Sequence, residues 1–227
     1  MPAYLIYLCH DVTNRTELET YWKVTQPTFE GRQVHVHTAY TPLEVLTGDT
    51  TVHGVVIADY PSVEACRDWY DSPGYVSGRQ HRMRGGDYLG LLADGLTADA
   101  AKSAGKVNGS LVLPDADDIP PSYVLWLGKA EPSSDIWLAE ASESVVAAGG
   151  VCLTATTHVD VLEGEHLAPS VVLAGFATAD AARSWYAANQ PASVDQDPLV
   201  LLIEGGWLPP EQRMPHLQAR SSATPSA

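Results

Sequence analysis

Residues 55–70 read Val55-Val56-Ile57-Ala58-Asp59-Tyr60-Pro61-Ser62-Val63-Glu64-Ala65-Cys66-Arg67-Asp68-Trp69-Tyr70, and the chain repeats this line at 171–186 as Val171-Val172-Leu173-Ala174-Gly175-Phe176-Ala177-Thr178-Ala179-Asp180-Ala181-Ala182-Arg183-Ser184-Trp185-Tyr186. No gap is needed, and Val, Val, Ala, Ala, Arg, Trp and Tyr coincide. Upstream, Glu44-Val45-Leu46-Thr47-Gly48 matches Asp160-Val161-Leu162-Glu163-Gly164 at the same offset (171 − 55 = 116). Each copy opens on a Tyr-led apolar strand, Tyr4–Leu8 and Tyr123–Leu127, and closes on another, Leu91–Gly95 and Leu201–Gly205. The chain is a tandem duplication. Residues 1–95 form a first domain, 96–121 an Ala/Gly/Ser/Asp/Pro-rich linker, 122–206 a second, degenerate domain, and 207–227 a Pro/Ser/Gln/Arg-rich tail.

Each copy spells strand, helix, strand, strand, helix, strand. In the first, 3–9 is a strand, and Leu18, Tyr21, Trp22 and Thr25 mark a helix over 15–29 by their spacing. Gly31 fits a left-handed cap after it. Residues 32–39 form a second strand that continues through 43–47 after a bend at Pro42, and 51–60 form a third. Ser62 caps a second helix, and 87–93 close the unit. This βαββαβ order predicts an α+β, ferredoxin-like domain, with helices on one face of an antiparallel sheet. The bare sheet face needs a partner, and the second copy can supply it within the chain. The expected architecture is an intrachain pseudo-dimer, monomeric or dimerised again, with two sheets face to face.

The 227 residues suffice for two small domains, and 45% hydrophobic content fills their cores. A net charge of −15 argues against nucleic-acid binding, which needs a basic face. No run approaches the length of a membrane span, and no secretory leader is read at Met1-Pro2-Ala3. Three widely spaced cysteines, Cys9, Cys66 and Cys152, do not form a disulfide framework and suit a reducing cytoplasm.

The run Tyr60-Pro61-Ser62-Val63-Glu64-Ala65, then Trp69-Tyr70-Asp71-Ser72-Pro73-Gly74-Tyr75, Arg79, Arg82 and Leu92-Ala93-Asp94-Gly95, resembles the family catalogued as domain of unknown function 1330. The resemblance covers residues 3–95 and, more weakly, 122–206. It implies the dimeric α/β-barrel superfamily, whose members include cofactor-free oxygenases, cyclases, haem enzymes and plain ligand binders. Fold alone does not choose among them.

The copies differ in their polar residues. With Gly31 set against Gly150, His35 meets Thr154, His37 meets Thr156 and His53 meets Pro169. The segment Asp71–Asp87, carrying Tyr75, Arg79, His81 and Arg82, has only a shortened counterpart. One functional pocket in the first copy is therefore expected. His35-Val36-His37 places two imidazoles on one strand face, toward an inter-sheet cavity, with His53 on the neighbouring strand. The three are read as rim histidines, as acid–base groups, or as metal ligands; the expected role is catalytic, with no metal and no organic cofactor. Arg79 and Arg82, three apart, suit a carboxylate or enolate clamp, with Tyr7, Tyr75 and His81 as further substrate contacts; a surface ion pair with Asp71 or Asp87 is the plainer alternative. Cys9 reads as a buried structural thiol. The function these features predict is acid–base chemistry (cyclase, isomerase, dehydratase or hydrolase) on an organic acid or polyketide-like carbonyl compound, with a biosynthetic setting suggested by composition. The alternative is a non-catalytic small-ligand binder.

Overall fold

The computed structural model describes residues 1–48, 50–96, 120–129, 134–165, 169–189 and 198–214; most of the expected linker, and the tail beyond 214, lie outside these. The first copy contributes β1 (Ala3–Val12), α1 (Arg15–Thr25), β2 (His35–Ala39), β3 (Leu43–Thr47), β4 (Gly54–Tyr60), α2 (Val63–Tyr70), α3 (Pro73–Gly85) and β5 (Gly86–Asp94). The second contributes β6 (Ser122–Lys129), α4 (Ser134–Ala147), β7 (Val151–Thr156), β8 (Val159–Glu163), β9 (Pro169–Phe176), α5 (Ala179–Ala188) and β10 (Leu199–Glu204), and a short β11 (Gly206–Trp207) follows. Asn14 and Ser62 cap α1 and α2 through their side chains. α1 stops short of the expected residue 29 because Pro27 has no N–H to donate, and residues 26–29 tighten into a 3₁₀ turn. Gly31 then turns the chain at φ 73°, where a side chain would be strained.

The two sheets run β11-β2-β4-β1-β5-β8 and β3-β10-β6-β9-β7. β3 is thus no continuation of β2 within its own sheet. After Tyr40, at φ 59°, the chain crosses over and β3 pairs with β10 of the second copy. Reciprocally, β8 leaves the second copy and pairs with β5 of the first. Each exchanged strand covers an edge that would otherwise present unpaired backbone groups. The exchange explains the repeated Glu44–Gly48 and Asp160–Gly164 segments. Arg67 pairs with Asp160 at 2.6 Å, and its counterpart Arg183 pairs with Glu44 at 2.8 Å. Tyr70 donates to Glu163, and its counterpart Tyr186 hydrogen-bonds Thr47.

Strand alternation sorts the core into three layers. Tyr4, Ile6, Leu8, Val55, Ile57, Leu89 and Leu91 meet Tyr123, Leu125, Leu127, Val171, Leu173 and Leu201 between the sheets. The opposite face of the first sheet, with Leu5, Tyr7, Cys9, Ala58 and Tyr60, packs on α1–α3; that of the second packs on α4 and α5. The recurrent tryptophans are anchored alike, Trp69 to Thr28 at 3.0 Å and Trp185 to Ser144 at 2.9 Å. No helix among the described residues is long and apolar enough to cross a membrane.

Candidate functional site

The inter-sheet space expected to hold a cavity is filled by the central apolar layer. The cavity lies on the other side of the first sheet, beneath the helices, with a volume of about 430 Å³. Its floor is the helix-facing side of β1, β2 and β4, and α1 supplies Tyr21 and Trp22 as a wall. The roof comes from the C-terminal segment. β11 adds in parallel to β2, Leu208 donates to the Ala39 carbonyl, and Trp207, Pro210 and Arg213 fold over the opening. Buried Arg15 holds this strap by donating to the carbonyls of Arg213 at 2.6 Å and Pro210 at 3.2 Å. Residues 207–214 of the expected tail are therefore part of the cavity.

Arg82 and Arg213 line the cavity, and among the described residues no carboxylate or histidine does. Arg82, on α3, is 1% exposed and lies against the rings of Tyr7, Tyr21 and Tyr88. Its Nη2 donates to Glu163 from the exchanged strand β8, while Nε and Nη1 have no hydrogen-bond partner among the described residues. Burial works against its charge, but the Glu163 carboxylate hydrogen-bonded to it opposes that, and the guanidinium stays charged. Glu163 stands opposite Gly90 in the β5–β8 register, where a Cβ would lie 2.6 Å from the Tyr7 ring. Tyr7 and Tyr75 share a hydrogen bond of 3.0 Å, and Tyr21 approaches Tyr75 at 3.4 Å. The buried Tyr60 hydroxyl also lacks a partner. Burial raises the pKa of Tyr7, Tyr60 and Tyr75 well above the usual phenol value, so all three stay protonated.

The histidine pair lies on the opposite face of β2. Strand alternation keeps His37 on the same side as His35, toward the second sheet, and a bulge follows between Val36 and Thr38. His35 Nδ1 and His37 Nε2 each lie 3.1 Å from Asp59 Oδ1, and His37 Nδ1 lies 3.1 Å from the hydroxyl of Tyr123 in the second copy. Asp59 is 5% exposed; burial works to raise its pKa, but hydrogen bonds from His35 and His37 outweigh this and hold it below the usual carboxylate range.

The structure separates residues that the sequence grouped. Tyr7 and Arg82 reach the cavity, and Tyr75 stands directly behind Tyr7, its ring tilted against that of Trp69 with centroids 3.8 Å apart. Arg79 turns away and stacks on Tyr70 at 4.3 Å. His81 pairs with Glu17 at 2.6 Å on the outer surface, beside Arg84. His53 donates its backbone N–H to the Cys9 carbonyl, at the end of β4 opposite Asp59, roughly 20 Å away along the strand. Neither Asp71 nor Asp87 pairs with Arg82. Cys9 is buried, its thiol pushed up to about 11 by burial.

The strand registers also correct the matching of the copies. His35 opposes Asp59 and Val151 opposes Gly175, so His35 corresponds to Val151, His37 to Leu153 and Asp59 to Gly175. The offset stays at 116, and the approach to β2 is longer than the approach to β7, which misled the glycine-based match. Sequence reasoning did not single out Asp59, Glu163, Tyr60, Tyr123 or Arg213. Only Asp59 carried a signal, a charge in an apolar strand where the repeat has glycine.

Two exchanged, face-to-face sheets on one chain define a dimeric α/β-barrel protein whose two halves are covalently joined. The family described as Domain of unknown function (DUF1330) matches residues 2–96 and 131–196, and the chain belongs to it. A chlorite dismutase variant from Candidatus Nitrospira defluvii aligns over 94% of each chain at 9% identity, with a TM-score of 0.50. A protein of unknown function from Rhodopseudomonas palustris is 23% identical over 42% of this chain and 83% of its own, with a TM-score of 0.37. An anthrone oxidase-like protein aligns over 90% of this chain and 91% of its own at 13% identity, with a TM-score of 0.43. No curated protein matches the chain in sequence.

Proposed function

We propose that the protein is a small-molecule enzyme that takes an organic acid or an enolisable, polyketide-like carbonyl compound into the cavity beneath α1–α3. The observation that carries this reading is Arg82, a buried, charged guanidinium at the cavity wall with two N–H-bearing nitrogens unpartnered. A buried donor without an acceptor costs about 1–3 kcal/mol or more, and an anionic oxygen in the cavity removes that cost. In a chain of net charge −15, a cavity lined by two arginines and no carboxylate selects for an anion. Its apolar and aromatic walls select for a flat, hydrophobic body.

Chemistry would follow from charge placement. Arg82 stabilises an oxyanion as it develops, and the Tyr7 hydroxyl, kept protonated by burial, donates to the same oxygen. Isomerisation or cyclisation through an enolate fits this pair. The substrate proton would leave along the Tyr7–Tyr75–Tyr21 hydroxyls, each releasing its own proton to the next as it takes one up, with water at half-buried Tyr21 as the final acceptor, because His35 and His37 face the other side of the sheet. A second reading, binding without turnover, is favoured by one feature: among the described residues no imidazole or carboxylate stands at the cavity wall to act as a base near neutral pH.

Trp22, Trp69 and Trp207 line the cavity and report on its contents. Titration with 2-naphthoate should quench their fluorescence, with affinity at least tenfold above that of 2-naphthalenemethanol, and Arg82→Met should erase the difference. Equal affinity for acid and alcohol would remove the anion-binding role. Proton–deuterium exchange of a bound β-keto acid then separates the two readings, because only an enzyme accelerates it.

A further inference from the structure

We infer that His35, His37 and Asp59 form a divalent transition-metal site, buried at the seam between the two halves, with Zn²⁺ as the ion to test. This site is distinct from the helix-side cavity and does not depend on the function proposed for it.

The geometry comes first. The ligating atoms of the three residues all lie within 4.8 Å of one another, and both nitrogen–oxygen separations are 3.1 Å. In a tetrahedral zinc site with bonds of about 2.0–2.1 Å, ligand atoms stand roughly 3.3 Å apart. Both nitrogen–oxygen separations stand within a few tenths of an ångström of that spacing, and the two ring nitrogens, within 4.8 Å of each other, have to close on the ion. Two neutral imidazoles and a carboxylate suit Zn²⁺ and its neighbours better than Ca²⁺ or Mg²⁺, which prefer all-oxygen sets. Strand alternation puts His37 on this side of β2 together with His35, and Asp59 stands opposite His35 in the neighbouring strand. Tyr123 then sits on the remaining ring nitrogen of His37, the outer contact that fixes a ligating histidine's tautomer and orientation.

Charge is the second argument. Asp59 is buried where the sheets meet, and its Oδ1 is hydrogen-bonded to both His35 and His37. A buried carboxylate needs a compensating positive charge. With neutral imidazoles the cluster carries one net negative charge inside an apolar layer; a divalent cation reverses that deficit.

The third argument is the second half of the chain, which fills the equivalent place with Val151, Leu153 and Gly175. Packing between the sheets is therefore met without any ionisable group, and the polar trio in the first half serves something other than packing.

The test uses the full chain, stripped with chelator, dialysed and titrated with ZnCl₂. One equivalent should be retained through gel filtration, with a rise in the thermal midpoint. CoCl₂ should give the visible absorption of a four- or five-coordinate ion. Asp59→Asn should weaken zinc binding at least tenfold. The combined variant His35→Val, His37→Leu, Asp59→Gly installs the residues of the second half, so it has a foldable precedent, and it should bind no zinc. Anomalous diffraction at the zinc edge from the unmodified protein should place the ion among these three side chains, whether or not the variants fold. No zinc uptake by the unmodified chain, uptake undiminished in the combined variant, or an ion located elsewhere would overturn the assignment and leave a hydrogen-bonded His–Asp–His cluster.

Discussion

Replacing Glu163 with alanine removes the carboxylate that the exchanged strand β8 delivers to Arg82. Arg82 is 1% exposed and the Glu163 side chain 13%, so neither charge is relieved by bulk water. Removing one partner of such a pair costs about 3–5 kcal/mol, because the other is left buried and uncompensated. Tyr70 keeps the Leu162 carbonyl at 3.4 Å as an alternative acceptor, so its loss adds little. At about 1.4 kcal/mol per factor of ten, the folding equilibrium should drop by two to three orders of magnitude. Urea unfolding followed by tryptophan fluorescence measures this directly. Arg82→Met in the same background should recover part of the loss, with a coupling of about 2 kcal/mol or more. Thr47→Ala is the internal control: Thr47 occupies the equivalent place in β3 but meets neutral groups, the Tyr186 hydroxyl and the Leu46 carbonyl, so its loss should cost about 0.5–1.5 kcal/mol. If Glu163→Ala unfolds within about 0.5 kcal/mol of the parent, or if the double variant is simply additive, Arg82 is not held by this pair and its role in the cavity loses its structural basis.

Burial pushes the thiols of Cys9 and Cys152 up to about 11 and that of Cys66 up to about 12. Unfolded thiols ionise from about pH 8.5 while the folded ones keep their protons, so stability is complete below that pH and falls as pH rises toward the folded values; the urea midpoint should decline between pH 8 and 10, and a flat profile would contradict buried thiols. Gly78 on α3 has no room for a side chain, since a Cβ would lie 2.6 Å from the Thr25 methyl of α1, and Thr25 is itself held by a 2.7 Å bond to the Tyr21 carbonyl. Gly78→Val should therefore destabilise by about 1–3 kcal/mol in thermal unfolding, and a stabilised variant would show that α1 and α3 do not meet as described. Arg15→Met removes the donors that hold the strap, so trypsin should cut at Arg213 faster than in the parent; an unchanged rate would mean that the strap is anchored by its β11 pairing alone.

The repeat around Trp69 and Trp185 made the βαββαβ unit and its duplication readable, because a period of two marks the strands and the capped run after Ser62 marks a helix. The exchange of β3 and β8 was not readable. Residues 43–47 look like a continuation of β2, and only the turn at Tyr40 and the pairing with β10 reveal their destination. At the site, Tyr7 and Arg82 were legible as polar chemistry that the second half lacks. Their surroundings were not, since Glu163 and Arg213 reach them from 81 and 131 residues along the chain (163 − 82 and 213 − 82). Alternation placed His35 and His37 on the correct face of β2, but no local pattern says which face of a two-sided sheet carries the void. Volume decides that: the inter-sheet layer fills with Leu, Ile and Val, whereas on the helix side the sheet face, α1 and the C-terminal strap enclose the cavity between them.

Joining the two halves removes a constraint that a homodimer cannot escape. In a two-fold dimer, every residue placed on the exchanged strand appears twice and must be satisfied twice. Here Glu163 faces Arg82 on one side, while Thr47 faces Tyr186 on the other, where the described residues include no arginine in the place of Arg82. The histidine–aspartate cluster likewise occurs once, against Val151, Leu153 and Gly175. Restoring symmetry should therefore be harmful. Thr47→Glu would put a carboxylate against Tyr186 with no guanidinium to meet it, costing on the order of 1–3 kcal/mol at neutral pH. Partial burial raises that carboxyl's folded pKa, so the deficit should be full near pH 7 and shrink as the pH falls toward 4 and the group takes up a proton in both states. Urea midpoints of Thr47→Glu and its parent, compared at the two pH values, read this out. A variant as stable as the parent at pH 7 would mean that the second half tolerates the charge, and the asymmetry of the two halves would then need an origin other than the burial of Arg82.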